Sequence, residues 1–146
     1  MREAIERLTK VGRVVAVSCF YETEPVEVPV EVKDPPWFLN FTVALETSLA
    51  PNELMTALLG IERQMGRNRT RNKGPREIDI DILLFGGLIL DSAAVTIPHP
   101  AMHKRRFVLE PLAEIAPEAR HPRLGKTVRE LLAELPEGQA VRRIKT

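Results

Sequence analysis

Two aspartates separated by one isoleucine are the residues of this sequence best suited to chemistry. Asp79-Ile80-Asp81 lies in the run EIDIDILLF, residues 77–85, which has the composition of a strand. Side chains two positions apart on a strand project from the same face, so the two carboxylates would form one oxygen site. Mg²⁺ favours one or two carboxylates and completes its octahedron with water and substrate phosphates. The pair therefore indicates a magnesium site, although a solvated edge strand also accounts for this pattern.

A cationic segment directly precedes the acidic pair. Residues 66–76, GRNRTRNKGPR, contain five cations and no acid, and their guanidinium groups are suited to bidentate hydrogen bonds with phosphate oxygens. A basic run alone is usually a solvated loop, but beside an acid pair it indicates a polyphosphate site of the kind that phosphoryl transfer requires. The five cations are Arg67, Arg69, Arg71, Lys73 and Arg76.

The composition argues against several other classes of protein. The 146 residues suit a single domain over residues 1–146, and 44% of them are hydrophobic, as expected for a protein with a core. A formal net charge of +1 argues against a general nucleic-acid or membrane-surface binder. Cys19 is the only cysteine, which excludes an internal disulfide and fits a reducing compartment. Because no apolar stretch reaches the length of a membrane span, we expect a soluble, cytoplasmic protein.

Helices are predicted where apolar residues recur at helical spacing. Residues 2–10 and 107–115 show this spacing, Pro51 is placed to begin a long helix, and Thr127 is expected to cap a last helix that runs to Leu135. The buried stripe of the long helix is predicted to be Leu54, Leu58, Ile61 and Met65.

Strands are predicted where β-branched and aromatic residues cluster. They lie at residues 13–21, 37–47, 77–85 and 88–90, with a turn at Gly86-Gly87 and a long, proline-containing connection at residues 23–36. Helices and strands in this order predict an α+β sandwich with helices on an antiparallel sheet.

The acidic pair and its surroundings resemble the signature of the 6-hydroxymethyl-7,8-dihydropterin pyrophosphokinase family. The signature segment is KGPREIDIDIL, residues 73–83, and the resemblance extends in register from about Ile5 to Pro117. Several spaced motifs in the family's order are more specific than any one of them. The other matching segments are FYETEP at residues 20–25, FLN and ALET within residues 38–47, and IPHP at residues 97–100 followed by Arg105, Phe107, Pro111 and Leu112.

The resemblance implies a reaction and a fold. The family transfers pyrophosphate from ATP to the hydroxymethyl group of 6-hydroxymethyl-7,8-dihydropterin and releases AMP, as a step of folate biosynthesis. The resemblance also implies a ferredoxin-like three-layer α-β-α sandwich that acts as a monomer with ATP and two Mg²⁺ ions. By this resemblance Asp79 and Asp81 are the expected metal ligands.

The resemblance also implies roles for the remaining candidate residues. A pterin is flat and aromatic, so two aromatic rings suit its faces and an asparagine amide suits its polar edge. The residues expected at ATP are Arg76, His99 and Arg105 on the phosphates, Arg67 and Arg69 in a loop that closes over the site, and Glu62 with the backbone of Ile82 near the adenosine. The residues expected at the pterin are Phe38 and Phe107 on its faces and Asn40 with the backbone of Thr23, Glu24 and Val26 at its edge.

One feature of the family has no counterpart in the sequence. Members usually begin with a strand and a Gly-Ser-Asn-Leu-Gly turn, whereas this sequence begins within the helix that follows them. We therefore expect a sheet without the family's first strand, and an exposed strand edge through which chains could associate. Two alternatives to an active enzyme stay open: an N-terminally truncated, catalytically impaired member that still binds nucleotide, and a ferredoxin-like RNA-binding module. The acid pair and the near-neutral charge argue against the second.

Overall fold

The computed structural model describes residues 2–23, 38–69, 79–136, 138 and 140–144. Its chain divides into two units, one containing Met1–Val15 and Leu45–Pro100 and the other containing Ala16–Ala44 and Ala101–Thr146. Every strand pairing with a defined register is antiparallel. The predicted α+β class is therefore confirmed over the described residues. No helix among them is long and apolar enough to cross a membrane.

The helices and strands of the described residues follow the order that the sequence patterns predict for much of the chain. The elements are α1 (Arg2–Leu8), β1 (Arg13–Val17), β2 (Phe20–Thr23), β3 (Phe38–Asn40), β4 (Val43–Glu46), α2 (Pro51–Arg69), β5 (Leu90–Asp91), β6 (Thr96–Ile97), a 3-10 helix (Met102–Lys104), α3 (Arg106–Ile115), β7 (Arg120–His121), β8 (Lys126–Thr127), α4 (Val128–Glu134) and β9 (Val141–Ile144).

Helices α1 and α2 pack against each other in the first unit. Pro51 occupies the first turn of α2, where its missing N–H removes no helical hydrogen bond. The N–H of Ala50 donates to the carboxylate of Glu53 at 2.9 Å, which satisfies a donor at the helix start. The predicted stripe of α2 is confirmed, because each of its members is buried: Leu54, Leu58, Ile61 and Met65.

Strands β5 and β6 form a short antiparallel pair in the first unit. The predicted turn at Gly86-Gly87 precedes them, and Gly86 has a φ of 55°, a left-handed conformation that glycine adopts without steric strain. The strand predicted at residues 88–90 begins only at Leu90.

The strand predicted at residues 77–85 is wrong for the part that the structure describes. Residues 79–85 pair with no strand among the described residues. The N–H of Ile80 donates instead to the Glu62 carboxylate at 2.6 Å, and the carbonyl of Leu83 accepts the N–H of His99 at 2.9 Å. Side-chain and loop partners therefore satisfy backbone groups that a strand ladder would otherwise use.

Strands β1 and β4 form a two-stranded sheet. The strands predicted at residues 13–21 and 37–47 are each interrupted, so their predicted lengths are wrong. At the interruption, the N–H of Ser18 donates to the carbonyl of Thr42, and the N–H of Thr42 donates to Ser18 Oγ, both at 2.9 Å. A serine side chain thus takes the place of a ladder acceptor.

The second unit contains a three-stranded sheet. Strand β2 lies between β3 and β9 and is antiparallel to both. Helix α3 contacts all three of these strands and also α4. Five buried apolar residues lie on these two helices: Leu109, Pro111, Leu112, Val128 and Leu131.

The predicted cap of the last helix is confirmed. Thr127 Oγ1 accepts the N–H of Glu130 at 3.2 Å, and the Glu130 carboxylate accepts the N–H of Thr127 at 3.0 Å. This reciprocal capping box satisfies two donors at the start of α4.

The packing of α2 predicts that replacing either of two neighbouring leucines by alanine lowers the free energy of unfolding by a different amount. Leu58 is 4% exposed, whereas Leu59 is 48% exposed. Leu58→Ala should lower the free energy of unfolding by about 2–5 kcal/mol, because it removes buried contacts and leaves a cavity. The matched variant Leu59→Ala should change it by about 0.5 kcal/mol or less. Urea denaturation measures both values, and equal losses would contradict the burial of the stripe.

His121 predicts a pH dependence of stability. It is 4% exposed, and its Nδ1 accepts the N–H of Leu124 at 3.2 Å. Burial, together with the neighbouring His103 and Arg123, lowers the pKa of His121 below its ordinary value of 6.5. Below pH 6.5 the unfolded chain binds a proton that the folded chain does not bind, so stability should be full above pH 6.5 and fall as the pH drops. His121→Gln should flatten this slope down to about pH 5, as measured by denaturation at several pH values.

Candidate active site

A hydrogen bond between α2 and the segment after residue 78 organises the acidic pair. The carboxylate of Glu62, on α2, accepts the backbone N–H of Ile80 at 2.6 Å. A charged acceptor makes this a strong hydrogen bond. Ile80 is the residue between Asp79 and Asp81, so the bond holds the backbone of the acidic pair beside α2.

The charges of Asp79 and Asp81 act on the carboxyl group of Glu62 in the first unit. Asp79 and Asp81 are exposed, whereas Ile82 is buried and anchors the segment. Burial raises the pKa of Glu62, and the charges of Asp79 and Asp81 raise it further, although the hydrogen bond from Ile80 acts in the opposite direction. Both aspartates therefore lie close enough to act on the same carboxyl group.

His99 lies beside the acidic pair. Its Nε2 is 3.9 Å from Asp81 Oδ2, which is too long for a direct hydrogen bond. Its backbone N–H is held by the carbonyl of Leu83 at 2.9 Å. The imidazole is 19% exposed and the Asp81 side chain is 56% exposed, so a ligand from solvent has access to the carboxylate next to a partly buried ring.

The donor set fits Mg²⁺ better than a metal that needs a protein cage. Over the described residues, no group of three or more His, Cys, Asp or Glu side chains converges as a preformed metal site. Mg²⁺ is commonly bound by one or two carboxylates plus water and substrate phosphates, and two exposed aspartates supply that number. Asp79 and Asp81 are the residues that would hold it, where it would offset the charge of a bound polyphosphate.

The predicted cationic residues are only partly described. Arg67 and Arg69 form the last turn of α2, but their side chains lie outside the described part, and Arg76 lies outside it entirely. Arg105 belongs to the second unit, where its guanidinium carbon is 5.7 Å from the ring centroid of Phe107. This distance is within the range of a cation–π contact.

The predicted pterin residues that are described lie in the second unit. Asn40 Nδ2, on β3, donates to Thr23 Oγ1, on β2, at 2.7 Å. Thr23 is 2% exposed, whereas Asn40 and Phe107 are half-buried. Three further predictions cannot be placed in full, because only the backbone of Phe38 is described and Glu24 and Val26 lie outside the described residues.

Sequence reasoning missed the contacts of two glutamates. The sequence predicts Glu62 near an adenosine, and no local pattern indicates its hydrogen bond to Ile80. A second cluster joins Glu114 on α3 to Tyr21 on β2 and Arg143 on β9. Its members are separated by 93 and 29 residues, so no short motif signals it.

Comparison with known proteins assigns the chain to a class of enzymes. A model of the family 7,8-dihydro-6-hydroxymethylpterin-pyrophosphokinase (HPPK) matches residues 1–117. The 2-amino-4-hydroxy-6-hydroxymethyldihydropteridine pyrophosphokinase of Pseudomonas aeruginosa is 46% identical over 134 residues, which cover 92% of this chain and 79% of that protein. The enzymes of this class are transferases, and the chain belongs to the HPPK family.

Two further relatives differ more in length from this chain. A protein of the same name from Synechocystis sp. is 47% identical over 100 residues, covering 68% of this chain and 51% of that protein. The folic acid synthesis protein fol1 of Schizosaccharomyces pombe is 41% identical over 138 residues, covering 93% of this chain and 18% of that protein. The chain thus spans about half of the first and less than a fifth of the second. The family resemblance that the motifs predict is confirmed.

The bond between Glu62 and Ile80 predicts a local change that is independent of any reaction. Glu62→Ala should leave the N–H of Ile80 without its acceptor, so the amide hydrogen of Ile80 should exchange with solvent faster. Glu62→Gln keeps a carbonyl acceptor and should retain most of the protection. Hydrogen-exchange mass spectrometry or NMR measures both, and unchanged exchange in Glu62→Ala would contradict the contact.

Proposed function

We propose that this chain transfers the pyrophosphoryl group of ATP to the hydroxymethyl oxygen of 6-hydroxymethyl-7,8-dihydropterin and releases AMP, a step of folate biosynthesis. The observation that carries the proposal is the acidic pair held against α2 by Glu62 in a chain of the HPPK family. A two-carboxylate site with open access suits a metal-bound triphosphate.

The residues of the first unit bind and orient the triphosphate. Asp79 and Asp81 would hold the metal, with two Mg²⁺ ions expected, and these ions would neutralise charge on the phosphates. His99 lies next to Asp81 and is placed to donate to a phosphate oxygen. Glu62 holds the backbone of the acidic segment beside α2 through Ile80. Glu62 and the backbone of Ile82 meet the adenosine.

The arginines supply further positive charge where the phosphates bind. Arg76, Arg67 and Arg69 belong to the cationic segment, and Arg105 lies beside Phe107. A guanidinium fork binds two phosphate oxygens at once, which orients the β-phosphorus as well as stabilising its charge. The hydroxymethyl oxygen attacks this phosphorus in line, and the bond to the oxygen of AMP breaks.

The residues of the second unit recognise the pterin. Phe38 and Phe107 cover the two ring faces, and Asn40 meets the polar edge together with the backbone of Thr23, Glu24 and Val26. The hydrogen bond from Asn40 to Thr23 supports this role, because it limits the orientations of the amide before a substrate arrives.

The finer architecture and setting belong to the same proposal. We expect one domain over residues 1–146 with a ferredoxin-like three-layer α-β-α sandwich, acting as a monomer on small molecules and not on nucleic acid or membranes. A cytoplasmic location and the lack of the family's first strand stay predictions from the sequence.

The function is tested by AMP release that depends on both the pterin and Mg²⁺. Asp81→Asn should lower kcat/KM by about 100-fold or more, because it removes a metal ligand while keeping the size of the side chain. Removal of Mg²⁺ with EDTA should stop AMP release by the wild-type chain. Asp91→Asn is the matched control, since it makes the same change at an exposed position of β5.

Three results would contradict the proposal. A near-normal rate for Asp81→Asn would contradict the assignment of Asp81 as a metal ligand. AMP release without the pterin would indicate hydrolysis of ATP. Binding of a non-hydrolysable ATP analogue by calorimetry, without turnover of ATP, would favour a catalytically impaired member of the family.

A further inference from the structure

Strand β2 is held from both sides in the second unit. On one edge, Tyr21 lies opposite Asn40 of β3, and on the other edge Tyr21 lies opposite Arg143 of β9. The three residues therefore form one cross-strand row, Arg143–Tyr21–Asn40. Strand β9 lies beyond residues 1–117, the part that the family model matches.

A carboxylate on α3 ties this row together. Glu114 accepts the hydroxyl of Tyr21 at 2.6 Å, the backbone N–H of Cys19 at 2.9 Å and the guanidinium of Arg143 at 2.8 Å. The guanidinium carbon of Arg143 also lies 5.8 Å from the ring centroid of Tyr21. One carboxylate thus joins α3 to β2 and to β9.

The charge of Glu114 depends on these donors. Burial alone raises the pKa of Glu114, but the hydrogen bonds from Tyr21, Cys19 and Arg143 outweigh it, and the pKa lies below the ordinary value of 4.5. Arg143 is the only cation among the three donors. Without it, a partly buried carboxylate would keep only neutral partners, which weakens its hold on Tyr21.

The position of Tyr21 affects the residues proposed to bind the pterin. Tyr21 and Thr23 lie two positions apart on β2 and are 6% and 2% exposed, so both belong to the buried face. Thr23 accepts the amide of Asn40 at 2.7 Å. A shift of Tyr21 would therefore move both partners of that hydrogen bond.

We propose that Arg143 is a positioning residue for pterin recognition, acting through Glu114 and Tyr21 on the Thr23–Asn40 pair. This inference rests on the proposed function, because it takes Asn40 as the residue that meets the pterin edge. The last strand of the chain then sets the affinity for one of the two substrates, although it does not itself touch that substrate.

The test measures the KM for each of the two substrates separately, in the chain of 146 residues. Arg143→Gln should raise the KM for the pterin about tenfold, because a small displacement of a positioning group has a large effect, while the KM for ATP stays within about twofold. Arg143→Lys keeps the charge and should be intermediate. Tyr21→Phe keeps the ring and loses the hydroxyl, so it should raise the KM for the pterin about threefold.

Arg142→Gln is the matched control on the same strand. Arg142 lies opposite Glu22 and pairs with its carboxylate at 2.6 Å, and its side chain is 65% exposed, compared with 54% for Arg143. Because Arg142 alternates with Arg143 along β9, it lies on the other face of the sheet. Its loss should leave both KM values within about twofold of wild type.

The outcomes distinguish this inference from the proposed function. If the wild-type chain releases no AMP with the pterin, both are overturned. If the wild type is active and Arg143→Gln has an unchanged KM for the pterin, or an equal rise in both KM values, only the role of Arg143 is overturned. If Arg143→Gln fails to fold by circular dichroism, Arg143→Lys and Tyr21→Phe decide, and wild-type KM values in both would overturn the inference.

Discussion

The hydrogen bond from the N–H of Ile80 to the carboxylate of Glu62 is the contact on which the acidic site depends. It joins a helix with a buried apolar stripe to a segment that pairs with no strand among the described residues. The helix cannot shift without exposing that stripe, so the position of Glu62 is set by packing. The backbone positions of Asp79 and Asp81 are fixed as well, because these residues flank Ile80, whose N–H donates the hydrogen bond.

The same contact concentrates negative charge. Burial and the charges of the two aspartates both raise the pKa of Glu62, so its own carboxyl group ionises less readily than usual. In the proposed function, a divalent cation held by Asp79 and Asp81 would offset this negative charge and that of a bound triphosphate.

The second unit uses a different solution for its proposed substrate. Recognition of a flat, uncharged ring depends on shape and on directed hydrogen bonds, and a sheet supplies both when its register is secure. Here β2 has a neighbour on each edge and α3 against one face. Glu114 adds a charged contact that links the helix to two of the strands.

The local features were predictable from the sequence. The stripe of α2, the cap at Thr127 and the turn at Gly86 each depend on residues within a few positions of one another, so spacing and residue type determined them. Order and spacing of motifs also determined the family.

The tertiary structure decided which strands found partners. Residues 79–85 have the composition of a strand, but a ladder needs a neighbour, and Glu62 and His99 satisfy part of their backbone instead. Ser18 interrupts another predicted strand by bonding to Thr42. Contacts such as Glu62–Ile80 and Glu114–Tyr21 join residues 18 and 93 positions apart, and only folding brings such residues together.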